Sequence, residues 1–394
     1  MRDFAQCRKA ALLLGVAALA GAGPDAMATN GLYWTGNGAY SSGMGGASIA
    51  FPQDVPSAVD NPAGLAELGR RIDLHGVVAP ITAHSTFGSP DNELTSRKIV
   101  VSPGLGVNYQ IAPQWTFGIA MTGAGAASDY GRPVLPIPGA GPAKASLIVV
   151  STNPTVTYKP LPNLSVGASL VLGFQQLRLN GILAPGADGA LEPVPSHGNA
   201  NAFGIGAGVG VLWAPTPMVS LGASYFTKTK FGALSGYKND VLAESGGHVD
   251  SPARYGVGIA VRPMSGLTLA LDYLRIEWAK AAGYNTDSTF GYRSQNVGRI
   301  GASYDISAQW TVRAGYSFAN NNVDSEHTLA NMYGPGISPR AVSFGASYAM
   351  DKTSTVTAAF EHTIPTAIHG TGVSSGTNIR ARYQVFTIGY THKF

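Results

Sequence analysis

Trp310-Thr311-Val312-Arg313-Ala314-Gly315-Tyr316-Ser317-Phe318-Ala319 reads as an extended segment with two unlike faces. Side chains in a strand point alternately to opposite sides, so Trp310, Val312, Ala314, Tyr316 and Phe318 share one face. Thr311, Arg313, Gly315, Ser317 and Ala319 share the other. The pattern recurs where Leu164, Val166, Ala168, Leu170, Leu172 and Phe174 oppose Ser165, Gly167, Ser169 and Gln175. It recurs again where Val342, Phe344, Ala346 and Tyr348 oppose Ser343, Gly345 and Ser347. Apolar side chains facing out and small or polar ones facing in are the pattern of a barrel wall in lipid. A soluble sandwich also alternates, but it packs its apolar faces against each other.

The connections separate these two readings. Strands are expected near 71–84, 97–111, 114–128, 147–159, 163–180, 199–213, 217–231, 253–262, 266–279, 292–306, 309–322, 338–350, 353–363 and 380–394, about fourteen in all. Every second connection is tight, as at Ala112-Pro113-Gln114, Pro160-Leu161-Pro162 and Asp351-Lys352. The others, such as 129–146, 181–198 and 232–252, are long and rich in Gly, Pro, Asn, Asp and Ser. Short periplasmic turns and long external loops belong to an outer-membrane barrel. Tyr109, Trp115, Tyr158, Trp213, Tyr304, Trp310 and Tyr348 all fall beside short turns, where an interfacial aromatic girdle is expected. The last strand ends on Phe394, a terminal aromatic suited to recognition by the barrel assembly machinery.

The N-terminus agrees with export. Arg2, Arg8 and Lys9 precede an apolar run from Ala10 to Ala20 that is too short to span a bilayer, and Ala26-Met27-Ala28 offers a small-residue cleavage site. Residues 1–28 are therefore expected to be a signal peptide, and the mature chain to begin at Thr29. The single cysteine, Cys7, lies in that segment, which removes disulfides, thiolate catalysis and Cys-ligated metals from consideration. With 51 Gly among 394 residues, only 12% charged residues and a net charge of +4, the chain suits neither an ordinary soluble enzyme nor a nucleic-acid-binding protein.

Residues 29–70 lack the period of a strand. A barrel of about fourteen strands encloses more space than its own side chains fill, so this segment is expected to form a hatch inside the lumen, with the barrel at 71–394. Gly43-Met44-Gly45-Gly46-Ala47, then Asp54, then Asp60-Asn61-Pro62-Ala63-Gly64-Leu65 resemble the hatch of the FadL and TodX-type family, including its Asn-Pro-Ala motif. Asn153-Pro154-Thr155-Val156-Thr157-Tyr158, Arg313-Ala314-Gly315-Tyr316 and Asp272-Tyr273 followed by Trp278 resemble its strand motifs, so the resemblance covers essentially the mature chain.

That resemblance implies an all-β transmembrane barrel in the bacterial outer membrane that takes up long-chain fatty acids or aromatic hydrocarbons passively. Substrate would be held near a hatch gated at Asn61, Pro62 and Ala63, and would leave sideways through a kinked strand. The third strand, with Gly118, Gly123 and Gly125 beside Ala124, Ala126 and Ala127, lacks bulk and can bend. Gly123 and Gly125 are the candidate lateral opening, although an ordinary thin strand would read the same way. Asp272, Arg299, Asp305 and Arg313 are charged lumen candidates. Arg313 and Asp305 suit an internal ion pair of the wall. Arg299 or Arg313 also suits a carboxylate headgroup, because guanidinium presents a matching fork.

Expected partners are hydrophobic small molecules, outer-membrane lipids and the assembly machinery, with no nucleic acid and a monomeric barrel. No cofactor or metal is expected, since the eight histidines are scattered. Gly372-Val373-Ser374-Ser375-Gly376 fits a nucleophile elbow, but no helical pattern follows it. A general diffusion porin or surface-interaction barrel is the main alternative, and a barrel-embedded lipid hydrolase a weaker one.

Overall fold

The computed structural model describes residues 31–185, 190–285, 290–337 and 339–394, and the chain after Arg70 closes into one antiparallel barrel. Among the described residues its wall has fourteen strands. These are β1 (Arg71–Thr86), β2 (Glu93–Ala112), β3 (Trp115–Asp129), β4 (Lys144–Leu161), β5 (Leu164–Asn180), β6 (Ala200–Thr216) and β7 (Val219–Phe226). The circuit continues through β8 (Arg254–Met264), β9 (Leu267–Ile276), β10 (Gln295–Asp305), β11 (Trp310–Ala319), β12 (Arg340–Ala349), β13 (Ser354–Thr363) and β14 (Ile379–Lys393). β1 pairs with β14 from Arg71–Lys393 to Ser85–Ile379, which closes the sheet. Closure is what lipid demands, because a free strand edge would leave backbone N–H and C=O groups unmet where no water can reach them.

The alternation read from sequence is the alternation of the wall. Ile99, Val101, Phe203 and Ile388 are well exposed on the outer face, while Ser165, Ser317, Ser343 and Thr357 are buried toward the lumen. At the end carrying the short turns, Trp115 meets Tyr158 at 4.6 Å between ring centroids and Trp310 meets Tyr348 at 4.8 Å, two cross-strand pairs of the expected girdle. Phe394 stands beside Tyr109 at 6.5 Å, and its backbone N–H donates to Arg70 O.

Two boundaries differ from expectation. β2 begins at Glu93, because Glu93, Thr95 and Arg97 alternate outward against inward Leu94 and Ser96 and extend the ladder with β1. β7 stops at Phe226, where a strand to about 231 was expected; the chain then leaves the wall and returns only as a two-residue pairing of Lys230 and Phe231 with β6. Around the outer mouth the long loops pack into a single hydrophobic cluster that includes Tyr130, Val134, Leu234, Trp278 and Met332. Leu135 and Ile137 pack against the same cluster.

Residues 31–70 lie among the inward faces of the strands. Two short 3₁₀ segments, Val55–Val59 and Pro62–Glu67, start at Asp54 and Asn61, whose side chains accept from Ser57 N and Ala63 N. Each has proline in its first turn, where the missing N–H costs nothing. The expected signal peptide lies outside the described residues.

Candidate functional site: a hatch, a slit and two cavities

Asn61 is fully buried, and its short amide is used at both ends. Oδ1 accepts from Ala63 N at 3.1 Å, while Nδ2 donates to Ile49 O at 2.8 Å within the hatch and to Val211 O at 3.0 Å on β6. Pro62 O accepts from Thr157 Oγ1 and Ala63 O from Ser165 Oγ, each at 3.1 Å, on β4 and β5. The wall has given way to fit this: a side chain in place of Gly210 would collide with Asn61 Oδ1. Leu65 adds an apolar contact with Val55, Ala58, Val59 and Ala120. Asn61-Pro62-Ala63 is thus the part of the hatch pinned to the wall.

Wall side chains capture other orphan hatch groups. Asp272 Oδ2 on β9 accepts from Ser48 N at 2.7 Å and Ile49 N at 2.9 Å, and Asp73 Oδ2 on β1 accepts from Val55 N at 2.7 Å. Arg299 Nη1 donates to Gly46 O at 3.1 Å and meets Asp60 Oδ1 at 3.3 Å. Arg313 donates to Gln53 Oε1 at 2.9 Å and Ser347 Oγ at 2.7 Å, beneath the Tyr40 ring. The Arg313–Asp305 pair suggested by the sequence does not form: Arg313 reaches into the hatch, and Asp305 accepts from Thr311 Oγ1 at the periplasmic rim. In the hatch itself, burial first and the Asp73 carboxylate second push the Asp54 carboxyl up to about 7.

The ladder between the second and third strands stops short. β2 and β3 pair from Ala112–Trp115 only as far as Leu105–Met121. Beyond that point residues 122–129 of β3 pair with β4 alone, and residues 93–104 of β2 pair with β1 alone. Gly125 has φ +154°, and a Cβ there would collide with Leu147 O on β4. Gly123 lies across the slit from Ser102 of β2, with 3.6 Å between Ser102 Cβ and an ideal Cβ on Gly123. The outer end of the slit is spanned by Lys98 Nζ and Asp129 Oδ2 at 2.9 Å and by Asp129 N donating to Ser96 Oγ at 2.8 Å.

Behind the slit runs the N-terminal arm of the hatch, residues 31–37. Leu32 O accepts from Gly125 N at 3.3 Å, so the arm takes a place that β2 vacates. Tyr33 and Trp34 line two small cavities, of about 50 Å³ and 40 Å³. The first reaches Thr122, Gly123 and Ala124 on one side and Phe226, Arg254 and Arg299 on another. The second lies against Gly125, Ala126, Tyr383 and the 334–336 segment. Ser128 and Tyr130 donate to Tyr333 O and Met332 O, and Tyr383 donates to Pro335 O, so this loop bridges β3 and β14 over the second cavity. Neither Tyr33 OH nor Trp34 Nε1 has a hydrogen-bond partner among the described residues.

Sequence reasoning found Arg299 but missed Arg254 and the aromatic pair of the arm. Arg254 Nη2 donates to Val59 O at 2.7 Å while its guanidinium lies 4.3 Å from the Phe226 ring centroid and 5.5 Å from that of Tyr33. An arginine inside a barrel strand was the available signal. Ser374 lies outside this site; its hydroxyl donates to Glu326 O at 2.6 Å and accepts from Leu329 N, so it serves loop packing.

Comparison with known proteins bears on the fold. The solved toluene transporter TodX of Pseudomonas putida superposes with a TM-score of 0.70 at 21% identity, covering 91% of this chain and 99% of that one. The toluene transporter TbuX of Ralstonia pickettii gives 0.68 at 19%, covering 91% and 99%. A FadL homologue of Pseudomonas aeruginosa gives 0.65 at 19%, covering 93% and 100%. No curated protein sequence matches. A family model for outer membrane protein transport proteins (OMPP1/FadL/TodX) matches residues 26–393, so the chain belongs to that outer-membrane transport family.

Proposed function

We propose that the protein carries small apolar molecules, aromatic hydrocarbons first among them, passively inward across the outer membrane and releases them sideways between β2 and β3. One observation carries this reading: the ladder between these strands stops at Leu105–Met121, and both cavities are lined by the β3 residues just beyond that point, Thr122 to Ala124 in one and Gly125 to Ala127 in the other. An apolar cavity of about 150 Å³ is known to hold benzene, so cavities of about 50 and 40 Å³ describe a closed state. Tyr33 and Trp34 separate them, and withdrawal of these rings would merge the two into space for an aromatic ring. A buried polar group left unpaired costs on the order of 1–3 kcal/mol, which favours motion of the arm over motion of the satisfied Asn61 anchor.

In this reading Asn61, Pro62 and Ala63 are the fulcrum of the gate, and Gly123 and Gly125 the wall opening. Arg299 is the contact for a polar headgroup, since it lines the first cavity and its Nε is unpartnered. Arg313 is a second possible headgroup contact only after its bonds to Gln53 and Ser347 break. Lateral release suits an apolar cargo, because leaving into lipid avoids rehydration of its surface. The protein works as a monomer without catalysis, and its last strand, β14, is read by the assembly machinery.

Uptake of labelled toluene and oleate by cells carrying the protein in a strain without related channels tests the proposal, beside single-channel conductance of the purified barrel. Toluene uptake above the empty-vector control with low conductance is expected. Preferential oleate uptake assigns fatty acids as the cargo. Large steady conductance with no preference for apolar solutes replaces the reading with a general porin.

A further inference from the structure

Three arginines stand together on the lipid-facing surface with no partner among the described residues. Arg97 of β2 and Arg382 of β14 both pair with Thr82 of β1, one on either side, and Arg380 of β14 pairs with His84 of β1. All three are exposed, and none makes a hydrogen bond or ion pair with a described residue. Neighbouring strands are about 4.8 Å apart, so Arg97 and Arg382 arise roughly 10 Å from each other on one outward face. The acid in the patch is already engaged, because Glu93 Oε1 meets His84 Nδ1 at 3.2 Å.

Their height on the wall is specific. Toward the periplasm the outward residues that follow are Ile99 and Val101 on β2, Pro80 and Val78 on β1, and Gln384, then Phe386 and Ile388, on β14. From Ile99 to the girdle residue Tyr109 the strand climbs about 25 Å, taking ~3.3 Å per residue and a tilt near 40°, which is the height of a barrel's apolar band. Arg97 therefore sits one outward step above the hydrocarbon, on the side of the long loops. Unpaired guanidinium groups at that level face the headgroups of the outer leaflet, where each has fork geometry for phosphate oxygens.

We propose that Arg97, Arg380 and Arg382 form a binding site for the phosphate groups of a phosphorylated glycolipid of the outer leaflet. Its acyl chains would lie along Ile99, Val101, Val78 and Phe386 while its phosphates bridge the arginines across Thr82. The site is separate from the transport path and stands whether or not lateral release is correct.

The full-length protein in detergent, titrated with bisphosphorylated lipid A and read by native mass spectrometry, tests this. The unmodified protein should retain lipid A, and dephosphorylated lipid A should bind about tenfold more weakly or worse. A combined Arg97→Gln, Arg380→Gln and Arg382→Gln variant should lose the difference between the two lipids while keeping its heat resistance. Competition by inorganic phosphate alone should require far higher concentrations, because it lacks the chains. Equal binding of both lipids to the unmodified protein, or phosphate-dependent binding that survives in the variant, overturns the proposal. If the variant fails to assemble, the comparison of the two lipids on the unmodified protein decides the matter by itself.

Discussion

Two interruptions of the wall's regular ladder are mended differently. Between β6 and β7 the pairing ends at Gly208–Phe226, but the chain that leaves β7 returns at once. Thr227 N donates to Ala207 O at 2.9 Å, Lys230 and Phe231 pair with Ile205 and Gly204, and Gly232 N donates to Phe203 O at 3.0 Å. Between β2 and β3 no neighbouring strand returns. The substitutes there are the carbonyl of Leu32, from a separate arm of the hatch, and the side chains of Ser96 and Lys98. An interrupted ladder is therefore no gate by itself; the difference lies in whether the replacement partners belong to the wall or can withdraw from it.

Tying the two interruptions shut puts this difference to its strongest test. A Ser102→Cys, Gly123→Cys variant has Cβ positions 3.6 Å apart, within the usual range for a disulfide. Oxidation should lower uptake of apolar cargo roughly tenfold or more, with recovery on reduction, as expected where a moving element sets the rate. The matching Gly204→Cys, Phe231→Cys variant should transport equally well in both states. Equal sensitivity, or none in either, breaks the comparison.

A smaller effect separates fixed from movable parts inside the lumen. Asn61→Ala would strand Ile49 O and Val211 O and should destabilise hatch docking by about 2–3 kcal/mol. Tyr33→Ala removes a ring that has no hydrogen bond to lose but packs against Trp278 and Arg254, and should raise solute leak without loosening the Asn61 anchor. Hydrogen exchange across 55–68 reads the first, and conductance reads the second. The positive φ of Gly125 comes next: Gly125→Ala, forced against Leu147 O, should cost about 1–3 kcal/mol in thermal unfolding. A neutral result there would mean that the local backbone does not require glycine.

The smallest expected effect is with pH. The Asp54 carboxyl is raised to about 7 in the folded hatch, against about 4 in an unfolded chain, so the folded state holds the extra proton between those values. Stability of the hatch should accordingly fall as pH rises through that window and level off above it. Tyr40, Asp73, Arg71 and Arg313 surround the group and set the size of the change. Greater exchange of the hatch at about pH 8 than at about pH 5, flattened in Asp54→Asn, is the expected observation.

How much was legible follows from range. Period-two alternation and the rhythm of short and long connections are local properties repeated along the chain, so the barrel and its strand number could be read by adding segments such as Trp310 to Ala319 from 71 to 394. Gly123 and Gly125 were also visible as unusual local composition, and Asn61-Pro62-Ala63 through its resemblance to the family motif. Their partners were not, because each contact joins residues far apart in sequence: Asn61 to Val211, Arg313 to Gln53, Leu32 to Gly125. A sequence shows that Arg299 and Arg313 must face a lumen, but which hatch atoms meet them depends on how the inserted segment is threaded. Arg97, Arg380 and Arg382 likewise become neighbours only when β1 closes the circle with β14, a pairing between opposite ends of the barrel that no local period encodes.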